Sequence, residues 1–223
     1  MIYNLAYGKT GHSFELPDNY NVDLIEPRWI DSVNDQNLAI AEALINPYSS
    51  KPLKEIVDNN DKVGIIFSDI TRATPYHIII PNLLNELQNI PQDNICFFCA
   101  NGTHRLATNE ELIKILGQNI VSNYKIVQNE ANNSDLHEYV GKTASGNEIL
   151  LNKEILKCNI KILTGFIEPH FFAGFSGGGK ALIPGLASVK SIKYNHSIEH
   201  LSLENVNWGI TYGNPLWEEM MEA

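Results

Sequence analysis

Four short apolar segments, separated by segments of helical character, constrain the fold of this chain most strongly. They cover residues 62–69, 94–102, 123–129 and 160–170. Their side chains are apolar on both faces, which is typical of strands in a covered parallel sheet. Residues 76–90 and about 108–117 have the composition of crossover helices. The order predicts a Rossmann-like α/β fold, with a mostly parallel sheet flanked by helices.

Three further segments complete the predicted organisation. Residues 1–17 alternate and turn at Gly11, which predicts an N-terminal β-hairpin. Residues 131–154 are a polar excursion that holds a short hairpin within 145–152. Residues 188–201 predict one helix with a broad apolar side. The last helix, which starts at Asn214–Pro215, looks incomplete, so we expect a domain cut from a longer protein.

Composition excludes several classes of protein. The chain has 223 residues and a net charge of −10, which argues against a nucleic-acid partner. It has no run of eighteen apolar residues and no signal peptide, so we expect no membrane association. Its three cysteines read as buried reduced thiols of a cytoplasmic protein. Cys96 and Cys99 form C-x-x-C inside a predicted strand, where their side chains point to opposite faces.

Polar motifs follow three of the four predicted strands: SDITRATP, ANGTHR and GFIEPHFFAGFSGGGK. In open α/β sheets, ligands bind beyond the carboxyl ends of the strands. We therefore expect one cleft, lined by Asp69, Arg72, His104, Arg105, His170 and Lys180. Taken singly, each motif is equally explained as a turn or a helix cap.

The glycine-rich segment comes within one residue of a phosphate-binding loop. Gly174, Gly179 and Lys180 match the P-loop pattern, but Ala181 lacks the hydroxyl that holds Mg²⁺. The segment therefore allows a phosphate- or nucleotide-binding domain, or a non-catalytic domain that binds a metabolite. A positioned lysine amine is also a nucleophile, so Lys180 is a candidate for covalent attachment as well as for simple anion contact.

The histidines and one arginine are the other candidates for chemistry. His104 and His170 follow adjacent strands and suit a two-base reaction, because imidazole accepts and donates protons near neutral pH. His196 and His200 are spaced i, i+4, which suits a metal on one helix face, although no third ligand is evident. Arg72 presents a planar fork for a carboxylate or phosphate. Asp69 would orient Arg72 or a neighbouring hydroxyl.

Together these motifs resemble a known family. SDITRATP, ANGTHR, EPHFFAGFSGGGKALIPG and the following NHS resemble the nickel-pincer lactate racemases and related 2-hydroxyacid racemases and epimerases. Four motifs in the same order cover most of residues 60–200. The resemblance implies a pyridinium mononucleotide cofactor with thioacid groups, which binds Ni(II) in a pincer. A planar site of two sulfurs, one carbon and one imidazole suits Ni(II).

The resemblance also assigns roles to residues. It implies that Lys180 holds the cofactor covalently and that His196, and not His200, completes the nickel coordination. It implies that His104 and His170 are the two catalytic bases. The remaining cofactor-binding positions that it implies are Asp69, Arg72, Gly177, Gly178 and Gly179, with Arg72 also near the substrate carboxylate.

The implied reaction is hydride abstraction from C2 of a 2-hydroxyacid and its return to the other face. Members of this family have a second α/β domain. We therefore expect residues 1–223 to form a single cofactor-binding domain, the N-terminal half of a longer two-domain isomerase that lacks its C-terminal domain here. An apolar rim left by that domain would favour a homo-oligomer. The resemblance leaves the particular 2-hydroxyacid open.

Overall fold

The computed structural model describes residues 1–26 and 28–223, which form two compact units. The first unit, residues 1–34, contains the predicted hairpin. Its strands are β1 (Ile2–Leu5) and β2 (His12–Glu15), which pair antiparallel. Gly11 adopts φ 74° in the turn, a left-handed conformation that favours glycine. The single-domain organisation of residues 1–223 stays a prediction.

The second unit, residues 35–223, holds the remaining elements. The strands are β3 (Val63–Ser68), β4 (Ile95–Ala100), β5 (Lys125–Gln128), β6 (His137–Lys142), β7 (Glu148–Asn152), β8 (Ile160–Leu163), β9 (Pro169–His170) and β10 (Gly174–Phe175). The helices are α1 (Gln36–Ile45), α2 (Leu53–Ile56), α3 (Tyr76–Glu86), α4 (Asn109–Leu116), α5 (Gln118–Asn123), α6 (Lys153–Leu156), α7 (Val189–Asn195), α8 (Ile198–Leu201) and α9 (Pro215–Glu222). None of the described helices is both long enough and apolar enough to span a membrane.

A four-stranded parallel sheet, in the order β5-β4-β3-β8, forms the centre of this unit. Side chains of one face, including Phe67 and Phe97, pack with α3 and α4. Those of the other face, including Ile66 and Phe98, pack with Ile155 of α6. All of these side chains are almost completely buried, which explains the continuous apolar runs. The predicted α/β fold is confirmed.

Two predicted elements are shorter than expected. The strand predicted over 160–170 ends at Leu163, and His170 lies instead in β9, which pairs with β10 in a separate two-stranded ribbon. The helix predicted over 188–201 is broken into α7 and α8. The break occurs because the Ser197 hydroxyl accepts a hydrogen bond from the His200 backbone N–H and so begins a new helix. His196 and His200 therefore do not share one helix face.

The polar excursion forms a longer hairpin than predicted. Strand β7 lies within the predicted 145–152 segment, but it pairs with β6, and the turn covers residues 143–147. This hairpin, α7 and α9 surround a second apolar core around Ile183 and Leu216, both fully buried. The second core supports the loops that follow β8.

Candidate functional site

A cavity of about 450 Å³ opens beyond the carboxyl ends of β3, β4 and β8. The loops after these strands supply most of its lining, and α7 supplies the rest. Six residues singled out from the sequence line this cavity: Asp69, Arg72, His104, His170, Lys180 and His196. Parallel strands bring them together because their carboxyl ends share one edge of the sheet.

Three other predicted residues lie elsewhere. Arg105 does not line the cavity, contrary to expectation. Its guanidinium instead forms two hydrogen bonds, of 2.6 and 2.7 Å, with the carboxylate of Glu111. Gly177 lines the cavity, but Gly178 and Gly179 are not among the described residues that do. Gly178 is exposed, whereas Gly179 is buried against another part of the chain.

Asp69 and His104 form a hydrogen-bonded pair. The buried carboxylate of Asp69 lies 2.6 Å from Nδ1 of His104 through Oδ2, and its Oδ1 accepts from the backbone and hydroxyl of Thr71. An imidazole that donates through Nδ1 keeps the lone pair of Nε2 available. His104 is therefore oriented to accept a proton at Nε2. Asp69 orients the Thr71 hydroxyl, as predicted, and His104 in place of Arg72.

His170 has the opposite arrangement. Its Nδ1 accepts hydrogen bonds from the backbone N–H groups of Phe172 and Ala173, at 3.2 and 3.1 Å. The neutral ring therefore carries its proton on Nε2 in this conformation. Burial, reinforced by the charges of Lys180 and Arg72, lowers the pKa of His170 from 6.5 to about 4. His170 is thus a neutral hydrogen-bond donor near pH 7.

Arg72 supplies positive charge to the cavity. Its Nη1 donates to Oε1 of Glu168 at 2.9 Å, and about a third of each side chain is exposed. The guanidinium therefore has both a fixed partner and donors left over for an anion. Glu168 had no predicted role. Its position two residues before His170, within the motif after the fourth strand, was the available signal.

Lys180 presents an amine with no partner. Its Nζ is buried and makes no hydrogen bond to any described residue. Burial, together with the charge of Arg72, lowers its pKa from 10.5 to about 8, although Glu168 opposes the shift. Lys180 lies within a four-residue 3₁₀ turn, Gly178–Ala181, and no long helix begins there. The phosphate-binding geometry of a P-loop, which uses the N-terminus of a helix, gains no support.

His196 caps the end of α7 and presents a second unpaired group. Its Nδ1 is buried and has no hydrogen-bond partner among the described residues. Burial, assisted by the charge of Lys180, lowers the pKa of His196 below its usual value. A neutral imidazole with a free nitrogen is a metal ligand.

The donor set fits a metal that brings ligands of its own. Among the described residues, no group of three His, Cys, Asp or Glu side chains is close enough to hold an ion. A metal at His196 would need its other donors from a non-protein group. The side chains of Lys180 and His196 line the same cavity, and each has a buried nitrogen without a hydrogen-bond partner among the described residues. A buried polar atom without a partner in the protein is a candidate contact for a bound molecule.

Known proteins place the chain in a family. Residues 7–209 match the family described as lactate racemase N-terminal domain. The chain is 33% identical to the lactate racemase of Thermoanaerobacterium thermosaccharolyticum, over 98% of this chain and 52% of the relative. It is 35% identical to the lactate racemase of Lactiplantibacillus plantarum, over 99% and 53%. The chain spans about half the length of these relatives.

Two solved structures have the same fold as this chain. The chain superposes over its whole length on 52% of a lactate racemase apoprotein from Thermoanaerobacterium thermosaccharolyticum, with a TM-score of 0.89 and 32% identity. A structure from Thermotoga maritima, 23% identical, has the same fold over 87% of this chain and 48% of its own length, with a TM-score of 0.67. The sequence match covers most of the chain, and so this chain belongs to the lactate racemase N-terminal domain family.

Proposed function

We propose that this chain is the cofactor-binding N-terminal part of a nickel-dependent racemase of small 2-hydroxyacids, of which lactate is the first candidate. One observation carries the proposal: Lys180 and His196, each with a buried nitrogen that has no hydrogen-bond partner among the described residues, line one cavity together with the Asp69–His104 pair. The names of the relatives support the substrate class. Because the chain covers half of those relatives, a second domain would complete the active protein.

Two residues would hold the cofactor. Lys180 would form the covalent bond, since its low pKa keeps part of the amine neutral and nucleophilic near pH 7. His196 would supply the imidazole ligand of Ni(II). Gly177 lines the cavity with φ 82°, a left-handed backbone conformation that favours glycine. When bound, the nickel-pincer nucleotide supplies the hydride acceptor and donor.

His104 would act as the base for the substrate hydroxyl. Its Nε2 is oriented to receive the hydroxyl proton, and Asp69 stabilises the imidazolium that results. Loss of that proton leaves the negative charge that drives hydride departure from C2. In the reverse reaction, Nε2 of His104 would return this proton to the substrate oxygen.

His170 would serve the opposite face of the substrate. In the described conformation its Nε2–H would donate a hydrogen bond to the substrate oxygen, because its Nδ1 accepts from two backbone N–H groups. A base role for His170, which the family resemblance implies, requires its ring to leave the two backbone N–H groups and carry its proton on Nδ1 instead. In the described conformation the two histidines therefore differ: His104 would accept the hydroxyl proton, whereas His170 would only donate a hydrogen bond.

Arg72 would bind the substrate carboxylate. A carboxylate in the cavity would share the guanidinium with Glu168, whose ion pair is partly exposed. This fixes one end of a 2-hydroxyacid and leaves C2 and its hydroxyl to face the histidines.

Deuterium at C2 tests the proposed reaction. The protein, purified from cells that make the cofactor and supplied with its second domain, is incubated with L-lactate deuterated at C2 in ordinary water. Hydride transfer predicts D-lactate that retains deuterium, because the transferred atom never exchanges with solvent. Racemisation with complete loss of deuterium, or no racemisation by protein that carries the cofactor, would overturn the proposal. His104→Ala should lower the rate of racemisation, because it removes the proposed base. His77 lies on a helix surface outside the cavity, so His77→Ala is the matched control.

A further inference from the structure

Helix α9 contacts three of the segments that carry the proposed site residues, although it lies beyond the residues matched by the family, 7–209. We propose that α9 and its capping residue position His170, Lys180 and His196, and that Glu219 is the residue through which the helix fixes His196. The roles of those three residues rest on the proposed function; the positioning itself does not.

The first contact starts at the cap of α9. Asn214 is fully buried, and its Oδ1 accepts from the backbone N–H of Leu216 at the start of the helix. Its Nδ2 donates to the carbonyl of Phe172 at 2.8 Å. The N–H of Ala173, in the same peptide unit as that carbonyl, donates to Nδ1 of His170. One amide side chain thus joins the beginning of α9 to the peptide that orients His170.

The second contact is backbone to backbone. A Cβ added at Gly179 would lie 2.7 Å from the carbonyl oxygen of Met220, so α9 packs directly on this glycine. Lys180 is the next residue. The absence of a side chain at Gly179 allows the helix to support the turn that carries the amine.

The third contact is a buried carboxylate. Glu219 is 3% exposed, and its Oε2 accepts from Nδ2 of Asn195 at 2.7 Å and from Nδ2 of Asn147 at 3.0 Å. Its Oε1 accepts from the hydroxyl of Ser145. No lysine or arginine among the described residues forms an ion pair with it. Neutral donors alone satisfy this carboxylate, and Asn195 immediately precedes His196.

The three contacts have one property in common. Asn214, Glu219 and Met220 do not line the cavity, but each touches a residue within two positions of a site residue. They therefore act as positioning residues. A buried carboxylate is costly unless its hydrogen bonds are satisfied, and removing it would take one of two acceptors from each of the buried amides of Asn147 and Asn195. The end of α7, and with it the ring of His196, would then be free to move.

The imidazole resonances of the unloaded chain test this inference without any cofactor. Glu219→Met keeps the side-chain length but removes both acceptors. We expect it to shift the NMR resonances of the His196 ring, and Ser145→Ala, in an exposed turn, to shift them less in the same direction. Glu218→Met, on the exposed side of α9, is the matched control, because Glu218 accepts from the backbone N–H of Gly213 and contacts no described residue next to His196 through a hydrogen bond. Ile65→Val, in the distant sheet core, controls for a general loss of stability.

Unchanged His196 resonances in folded Glu219→Met, or an equal shift in Ile65→Val at the same loss of stability, would overturn the inference. If Glu219→Met fails to fold, Ser145→Ala decides by the same criterion. Chain purified from cells that make the cofactor adds a second readout. We expect Glu219→Met to keep the covalent adduct but to release nickel to a chelator about 10-fold more readily, as for other supporting residues of metal ligands.

The two readouts separate this inference from the proposed function. Wild-type chain that carries neither adduct nor nickel would refute the proposed function, and the His196 resonances would still decide the role of Glu219. Wild-type and Glu219→Met chains that carry the same adduct and hold nickel equally tightly would refute the inference alone.

Discussion

The amine of Lys180 should be far more reactive near neutral pH than an ordinary lysine. Its Nζ is buried and unpaired, and burial with the charge of Arg72 lowers its pKa from 10.5 to about 8. At pH 7 such an amine is neutral in roughly one molecule in ten, against roughly one in 3,000 at the ordinary value. The neutral, nucleophilic fraction is therefore about 300 times larger.

Competitive labelling measures this directly. The unloaded chain is treated with an acylating reagent from pH 6 to pH 11, and the extent of modification at Lys180 is followed by mass spectrometry of its peptide. Exposed Lys193 reports the reagent concentration in the same sample. We expect the rate at Lys180 to reach half its maximum near pH 8. Limited access of the reagent to the amine alters the maximal rate but not the pH of this midpoint, so slow access and a shifted pKa are distinguishable.

Two variants show whether the stated cause is correct. Arg72→Gln removes the neighbouring positive charge and should raise the midpoint of Lys180, whereas Arg105→Gln, whose guanidinium pairs with Glu111 outside the cavity, should leave it unchanged. A midpoint near 10.5 in the wild-type chain would refute the reasoning. A labelling midpoint of Lys180 that is the same in Arg72→Gln as in the wild-type chain would also refute it.

Three further outcomes are expected. Lys180→Met should raise the free energy of unfolding of the unloaded chain in urea at pH 7 by roughly 1–3 kcal/mol, because the folded state disfavours the charged amine. The wild-type chain gains stability as pH rises from about 8 to 10.5. The difference in stability between Lys180→Met and the wild-type chain should therefore vanish above that range. Asp69→Asn should lower racemisation about 10²–10⁴-fold with the adduct retained, measured by chiral chromatography and intact mass, because His104 loses the partner that fixes its proton on Nδ1. Gly174 has φ 74°, and an added Cβ would lie 2.1 Å from a backbone carbonyl oxygen, so Gly174→Ala should lower the free energy of unfolding in urea by about 3 kcal/mol or more. Gly178 has φ 54° but faces open space, so Gly178→Ala should lower it by only about 1 kcal/mol.

The sheet was predictable because strands buried on both faces appear in the sequence as continuous apolar runs. Strands β3 and β4 are apolar at almost every position, and the motifs that follow them gather at one edge. Local sequence was a poorer guide after β8, where the run through His170 stays apolar although the strand has ended at Leu163. The break between α7 and α8 depends on one hydroxyl cap at Ser197, which a helical pattern easily masks.

The contacts that give the site its chemistry were less accessible from sequence. Asp69 and His104 are 35 residues apart, and Arg72 and Glu168 are 96 apart. Both pairs depend on which strands are neighbours. The protonation of His170 depends on two backbone N–H groups, which no residue type reveals. Spacing and residue type therefore identify candidates, whereas roles follow only from the partners that the fold supplies.

The intact mass of the chain tests the central claim most directly. The protein is purified from cells that make the nickel-pincer nucleotide, and its mass is compared with that of Lys180→Ala and of Lys193→Ala, a second lysine that lines the same cavity. The account predicts a covalent adduct in the wild-type chain, located by peptide mapping at Lys180. It predicts the same adduct in Lys193→Ala and none in Lys180→Ala. A wild-type chain with unmodified mass, or an adduct that persists in Lys180→Ala, would contradict it.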